Sequence, residues 1–169
     1  MIGGRRKPQQ MNANRANNDG EKQGEERVSM TQDEFRIKHS TLIEHYQHVE
    51  YNLENIYAAL TDNKSFIEGM EDVEKDTIKR LVKRILPLQK HNQIVVLTVD
   101  ECAEIERICA RRNYWIHECY INLVFNYEGG LRKPEDIRML ESDLREAEQM
   151  RDCLFEKKLP YLKKKMQSE

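Results

Sequence analysis

Apolar residues recur at helical spacing along almost the whole chain after residue 30. In TQDEFRIKHSTLIEHYQHVEYNLENIYAAL they fall at three-, four- or seven-residue steps, so they can share one face of a long helix. Three later stretches show the same spacing, whereas the only β-like run, residues 94–99, is too isolated to build a sheet. The pattern predicts an all-α fold, an antiparallel bundle of about four main helices.

Two capping signals indicate where helices begin. Thr31 is followed three residues later by Glu34, and Thr98 is followed in the same way by Glu101. In such a capping box, the threonine hydroxyl and the glutamate carboxylate each accept a hydrogen bond from a free backbone N–H of the first turn. We therefore expect the first and third main helices to start just after these threonines.

Glycine and proline indicate where helices end. We interpret TDNKSFIEGMED as a connector, and the second helix follows it from about residue 73 until Pro87 ends or kinks it. The third helix is expected to run toward Tyr127, where NYEGGLRKPED breaks it. The last helix should span about residues 134–158.

The chain ends differ in composition from its middle. Residues 1–30 are rich in Asn, Gln, Gly, Arg and Glu and hold few large apolar side chains, which predicts a disordered N-terminal arm. Residues 31–158 should form a single helical domain, and residues 159–169 a basic C-terminal tail.

Charge and cysteine content narrow the possible classes of protein. With 28 basic and 30 acidic residues the formal net charge is -2, which disfavours a protein that coats long nucleic acids but allows a local phosphate site. No apolar run approaches the length of a membrane span, and the four cysteines form no C-x-x-C pair. We expect a cytoplasmic protein with reduced, buried cysteines and no cofactor or metal.

The stretch ERICARRNYWIHECYINLVF, residues 106–125, is apolar enough for a buried helix but carries charged and polar residues in its middle. When such groups are buried, they need hydrogen-bond or ion-pair partners, bound water or a functional role. Asn113, His117 and Tyr120 share one side of an ideal helix, whereas Arg112 lies about 140° around the axis from His117. Either the helix is distorted here, or a second copy of it completes a shared groove, and we favour the second alternative.

These side chains are suited to phosphodiester chemistry. The imidazole of His117 can take a proton from a ribose 2′-OH or give one to the leaving oxygen. The guanidinium of Arg112 can stabilise the negative charge that develops on phosphate oxygens, and Asn113 can orient either group. RNA cleavage by this route needs no metal, because RNA supplies its own nucleophile.

The hexapeptide RNYWIH, late in a helical domain of this size, resembles the HEPN superfamily (higher eukaryotes and prokaryotes nucleotide-binding domain), whose motif is Arg, four to six residues and His. The resemblance implies a bundle that dimerises through its motif helices and, in many members, a metal-independent endoribonuclease of toxin–antitoxin or antiviral systems. When the motif is carried over to this chain, Arg112 and His117 are the catalytic pair and Asn113 is their polar support. Arg111 is the second choice for the motif arginine and is expected to contact the substrate.

The resemblance also implies possible protein partners for this chain. Some toxin members carry a tyrosine two residues after the histidine, which a partner nucleotidyltransferase modifies; this chain has Cys119 there and Tyr120 one place later. Tyr120 could still line the groove that holds RNA. An antitoxin or a nucleotidyltransferase is therefore a possible partner beside RNA and a second copy of the chain.

Other interpretations of the same residues remain open. The alternative function is a non-catalytic, HEPN-like dimeric module that binds a nucleotide or a partner protein. His45 and His48 have a spacing that could ligate a metal, but a polar helix edge explains them better. The basic stripe from Lys75 to Arg84 could guide RNA, although such stripes are more often solvated helix faces.

Overall fold

The computed structural model describes residues 30–119 and 134–168 of the 169-residue chain. The described part contains α-helices, one π-helical turn and no strand, so the prediction of an all-α fold is confirmed. The helices are α1 (Gln32–Leu60), α2 (Phe66–Glu71), α3 (Ile78–His91), α4 (Val99–Asn113) and α5 (Pro134–Ser168), and the π turn is Tyr114–Glu118.

Both predicted capping boxes are present. The backbone N–H of Thr31 donates to Glu34 Oε2 at 2.8 Å, and the N–H of Glu34 donates to the Thr31 hydroxyl at 3.2 Å. Thr98 and Glu101 exchange the same two bonds, at 2.8 and 3.3 Å. The starts of α1 and α4 are therefore confirmed.

The predicted connector between the first two main helices contains a short helix of its own. Ser65 and Glu68 form a third capping box at the start of α2. Gly69 lets α2 pack directly on α1, since a Cβ at this position would lie 2.8 Å from the Cα of Ala58. The fold needs a glycine at this close approach of two helices.

The predicted start of the second helix was wrong, and of the two outcomes predicted for Pro87 the helix does not end there. The chain makes a turn at residues 73–76, where the N–H of Asp76 donates to the carbonyl of Val73, and α3 begins only at Ile78. At its other end α3 continues through Pro87 to His91. The side chain of Gln89, beyond the proline, bonds to the backbone of residues 96 and 97, and this tertiary contact holds the last turn in place.

The last helix is longer than predicted. It passes through Pro160 and ends at Ser168 rather than near Lys158. The ammonium of Lys165 donates to the backbone carbonyls of Thr61 and Lys64, which lie just beyond the end of α1. This contact caps one helix with a side chain of another, and it helps to offset the backbone hydrogen bond that Pro160 removes.

Helix α4 runs antiparallel to α5. Near the start of α4, Glu101 pairs with Lys157 at 2.7 Å, and near its end Arg111 pairs with Asp143 at 3.4 Å. Residue numbers therefore rise along one helix as they fall along the other. The antiparallel arrangement expected from the sequence applies to this pair.

Helices α1 and α5 run in the same direction. Lys38 pairs with Glu141 near the start of both helices, and Asn52 Oδ1 accepts from Lys158 Nζ at 2.7 Å further along both. Each of these helices is antiparallel to α4, so they are parallel to one another. The two long helices form the main interface of the bundle.

The core lies between α1, α3, α4 and α5. Met30, the last residue of the predicted arm, packs against it with 4% of its surface exposed. None of the helices in the described ranges is both long and apolar enough to cross a membrane. The largest side chains that are fully buried are Trp115, Tyr46, Phe35, Leu42, Leu53, Ile56, Ile78, Leu81, Ile85, Leu97, Ile105 and Ile137.

Candidate functional site

The helix that carries the candidate residues changes its winding in the middle of the motif. Helix α4 ends at Asn113, and the π turn follows at once, with the N–H of Cys119 donating to the carbonyl of Tyr114, five residues back. Such turns are rare, occur mostly as single insertions in α-helices and are frequent at functional sites. The helix is therefore distorted here, which was one of the two alternatives that the sequence left open.

A buried tryptophan fixes this π turn. Trp115 is fully buried, and its indole N–H donates to Asp143 Oδ2 at 2.6 Å. Because Cys119 donates its N–H to Tyr114, the carbonyl of Trp115 lacks its usual α-helical donor. His39 Nε2 lies 3.0 Å from that carbonyl and the Cys119 thiol donates to it at 2.9 Å, so the buried oxygen is satisfied.

The π turn changes the relation between Arg112 and His117. In an ideal α-helix, five residues correspond to about 500° of rotation, which leaves the two side chains about 140° apart. A turn bonded from i to i+5 holds roughly one more residue than an α-turn, so residues five apart move toward the same side. The distortion therefore brings the two predicted catalytic residues closer in angle than the sequence alone suggested.

Arg112 lines a cleft between α4 and the start of α3. One terminal nitrogen, Nη2, lies 3.2 Å from Glu50 Oε2, and the side chain is 26% exposed. Its Nε is buried and has no hydrogen-bond acceptor among residues 30–119 and 134–168. The cleft has a volume of about 210 Å³, and its lining residues are Thr77, Ile78, Lys79, Cys109, Arg112 and Asn113.

The rest of this cleft is rich in donors. Thr77 caps α3 without a side-chain hydrogen bond to the helix, and the N–H of Arg80 donates to the carbonyl of Thr77. This leaves the first two N–H groups of α3, those of Ile78 and Lys79, without an acceptor among the described residues. Lys79 adds a cation, and burial raises the pKa of the Cys109 thiol, which therefore stays neutral. Free N–H groups at a helix start, a lysine and an arginine Nε without an acceptor together favour an anion such as phosphate.

Arg111, the second-choice arginine, faces another neighbour. Its Nε lies 3.4 Å from Asp143 Oδ1, and the carboxylate of Asp143 is almost completely buried. Burial raises the pKa of Asp143, while the hydrogen bond from Trp115 and the charge of Arg111 act in the opposite direction. In this position the positive charge of Arg111 compensates the negative charge of the buried Asp143 carboxylate beneath the π turn.

The remaining predicted site residues lie at the surface or outside the described ranges. His117 is exposed, and no hydrogen bond or ion pair joins its side chain to any residue in 30–119 or 134–168. Asn113 is exposed and lines the Arg112 cleft. Tyr120, the predicted groove residue, lies outside the residues that the structure describes.

Sequence reasoning missed three residues that shape the site. The first is His39, which is 6% exposed and lies 3.0 Å from the carbonyl of Trp115 in the π turn. Glu50 and Asp143, which hold the two arginines, carried no signal, because each lies far along the chain from its partner. His45 is also buried, with its Nδ1 3.0 Å from Arg151. No cluster of three or more metal-ligating side chains occurs among the described residues.

The basic stripe on α3 is partly neutralised. Arg84 pairs with Asp72 and with Asp76 at 2.9 Å, and Arg80 pairs with Asp76 at 3.2 Å. Lys79 is exposed at the mouth of the Arg112 cleft. The stripe therefore offers the cleft a local positive charge rather than a continuous basic face.

Comparison with known proteins adds no relative: no protein family, no curated protein and no solved structure matches this chain.

Proposed function

We propose that this chain is a metal-independent endoribonuclease in which Arg112 holds the scissile phosphate and His117 transfers protons. The observation that carries the proposal is the π turn of residues 114–118, which reduces the angle between these two side chains on one helix. The motif RNYWIH, with its resemblance to the HEPN superfamily, supplies the functional interpretation of that geometry.

The cleft around Arg112 supports a role in phosphate binding. Glu50 occupies one terminal nitrogen of the guanidinium, which fixes its orientation, whereas the buried Nε still has a proton to donate. A phosphate oxygen could accept from Nε and from the free N–H groups at the start of α3. Lys79 would add a second positive charge on the same side.

The proposed reaction uses the nucleophile that RNA carries. His117 removes the proton of a ribose 2′-OH, and the 2′-oxygen attacks the adjacent phosphorus. The bond from phosphorus to the 5′-oxygen breaks, and that oxygen leaves with a proton given by an imidazolium. The products carry a 2′,3′-cyclic phosphate and a free 5′-OH, and Arg112 stabilises the charge of the pentacoordinate state.

The proposal includes a second copy of the chain. His117 and Asn113 are exposed, and Ile116 between them is half-buried, so this side of the motif helix can take part in a two-fold contact. A dimer through the motif helices would place two arginines and two histidines in one groove, so that one protomer could supply the base and its partner the acid. An antitoxin or an activating partner would then regulate this groove in a toxin–antitoxin or antiviral system.

The direct test is to incubate the purified protein with total RNA in a chelator and to map the cut ends. We expect 2′,3′-cyclic phosphate ends from the parent protein and a rate lower by about 10²–10⁴-fold for His117→Ala. His91→Ala, which changes another exposed histidine at the end of α3, is the matched control and should cleave normally. Equal rates for the parent and His117→Ala would refute the proposal.

A specific observation favours a second candidate function, a non-catalytic module that binds a nucleotide or a partner protein. Arg112 is already paired with Glu50, and His117 touches no described partner by hydrogen bond or ion pair. A cleft that holds an anion does not need the histidine. RNA binding that Arg112→Ala abolishes, without any cut ends and with His117→Ala unchanged, would establish this second function.

A further inference from the structure

A second cavity lies on another side of α1, between α1 and α5. Its volume is about 470 Å³, which is in the usual range for pockets that hold small molecules. His48 and Asn52 face it, and on an ideal helix both are about 200° around the axis from Glu50, which holds Arg112. The cavity is therefore separate from the Arg112 cleft. Its lining residues are His48, Tyr51, Asn52, Arg151, Asp152, Phe155 and Lys158.

A buried lysine is the unusual feature of this cavity. Lys158 is 7% exposed, and its ammonium donates to Asn52 Oδ1 at 2.7 Å. The ammonium has three N–H donors, and within residues 30–119 and 134–168 it forms no ion pair with a carboxylate. Burial lowers the pKa of Lys158, which is the physical consequence of a charge without a counter-ion.

Two aromatic rings surround the same ammonium. The Nζ of Lys158 lies 4.8 Å from the ring centre of Phe155 and 5.4 Å from that of Tyr51. Cation–π contacts compensate part of the lost hydration. Both rings are about half exposed, with Tyr51 at 51% and Phe155 at 49%, so they present apolar faces to whatever enters the cavity.

The other cation of the cavity is already neutralised. The guanidinium of Arg151 pairs with Asp152 at 2.8 Å and with Glu148 at 3.5 Å, and it lies 3.0 Å from Nδ1 of His45. Of the two cations that line the cavity, Lys158 is the one whose charge has no carboxylate partner in the described part of the chain. A single positive charge suits a monoanion better than a phosphate dianion, which needs more donors and cations.

We propose that this cavity binds a small carboxylate with a planar apolar body, whose anionic end pairs with Lys158 and whose rings pack on Tyr51 and Phe155. The ligand supplies the counter-ion that the described residues do not provide for Lys158. The aromatic faces, which otherwise lie half in water, are covered by its apolar body. This site is independent of the proposed nuclease function.

The test uses 2-naphthoate as the probe and its fluorescence as the readout, with the full chain in solution. We expect saturable binding of one molecule per chain, and at least about tenfold weaker binding of the neutral 2-naphthamide, since a hydrogen bond between charged groups is lost. The same loss is expected for Lys158→Met, which keeps an unbranched apolar side chain of similar length. Lys163→Met, an exposed lysine on the same helix, is the matched control and should bind like the parent.

Three results would overturn the proposal. They are no saturable binding of 2-naphthoate, equal affinity for the carboxylate and the amide, and tighter binding of adenosine monophosphate than of 2-naphthoate. The comparison of carboxylate with amide uses the unchanged protein, so it decides the matter even where Lys158→Met fails to fold.

Discussion

The backbone carbonyl of Trp115 accepts a hydrogen bond from Nε2 of His39, 3.0 Å away, across the interface between α1 and the π turn. The π turn removes the usual donor of that carbonyl, and His39 replaces it. His39→Phe keeps a ring of similar size against Phe35 and Trp115 but removes the donor. Because the Cys119 thiol still donates to this carbonyl, we expect the free energy of unfolding to fall by about 0.5–1.5 kcal/mol, the net contribution of one hydrogen bond, as measured by urea denaturation.

His48→Phe is the control for this first prediction. His48 is an exposed histidine on the same helix, and its nearest ionic partner, Glu44, is 3.9 Å away. The substitution should change the free energy of unfolding by no more than about 0.5 kcal/mol. Equal effects of the two substitutions would show that His39 does not stabilise the π turn through this bond.

The buried carboxylate of Asp143 predicts an unusual dependence of stability on pH. Burial raises its pKa above the ordinary value of 3.8. A carboxyl with a raised pKa in the folded state contributes stability at low pH, and this contribution is lost as the pH rises through the folded-state pKa. Asp143→Asn keeps an oxygen that can accept from the Trp115 indole but cannot ionise.

We therefore expect Asp143→Asn to gain stability relative to the parent as the pH rises from about 4 to about 7. Urea denaturation of both proteins at several pH values in this window gives the measurement. A difference that does not change with pH, or that moves in favour of the parent, would show that Arg111 and Trp115 compensate the ionised carboxylate fully.

Local signals in the sequence predicted local features of the fold. The Thr-x-x-Glu pattern placed the starts of α1 and α4 correctly, and the Ser-x-x-Glu pattern at Ser65 could have placed α2 by the same reasoning. The ends of α3 and α5 were missed because distant contacts decide them. A proline normally stops a helix, but Lys165 and Gln89 hold the turns that follow Pro160 and Pro87.

A hydrogen-bond network around Tyr57 predicts how the stability of the fold changes at acidic pH. The Tyr57 hydroxyl donates to Asp72 Oδ2 at 2.7 Å, and Lys64 and Arg84 also bind this carboxylate; together they lower the pKa of Asp72 to about 2. A lowered carboxyl pKa contributes stability above the unfolded-state value, and this contribution is lost as the pH falls toward 2. Tyr57→Phe removes the largest cause of the shift.

In Tyr57→Phe we expect the pKa of Asp72 to rise toward its ordinary value and acid unfolding to begin at a higher pH. Carboxyl resonances in an NMR titration report the first effect, and circular dichroism on acidification reports the second. Asp62→Asn, at an exposed position beyond the end of α1, should leave both unchanged. An Asp72 pKa that stays near 2 in Tyr57→Phe would assign the shift to Lys64 and Arg84 instead.

The candidate site was predictable in its residue types but not in its geometry. The spacing of Arg112 and His117 left a gap of about 140° on an ideal helix, and distortion of the helix was one of two explanations. The π turn depends on His39, which lies 76 residues before Trp115, so no local pattern reveals it. The pairing of Arg112 with Glu50 is equally long-range, since the partners are 62 positions apart in sequence.

That pairing leads to the last prediction, which concerns the affinity of the Arg112 cleft. Glu50 competes with phosphate for the guanidinium, so Glu50→Gln should free Arg112 and make RNA binding tighter. Both side chains are about one quarter exposed, and such pairs contribute up to about 1 kcal/mol, which corresponds to a gain of up to about fivefold. Fluorescence anisotropy with a short labelled RNA, in chelator, measures the change.

Glu44→Gln, which changes an exposed glutamate on the same helix, controls for the loss of one negative charge. An equal gain in both variants would mean that general charge, and not the release of Arg112, sets the affinity; weaker binding in Glu50→Gln would mean that Glu50 positions the guanidinium for its ligand.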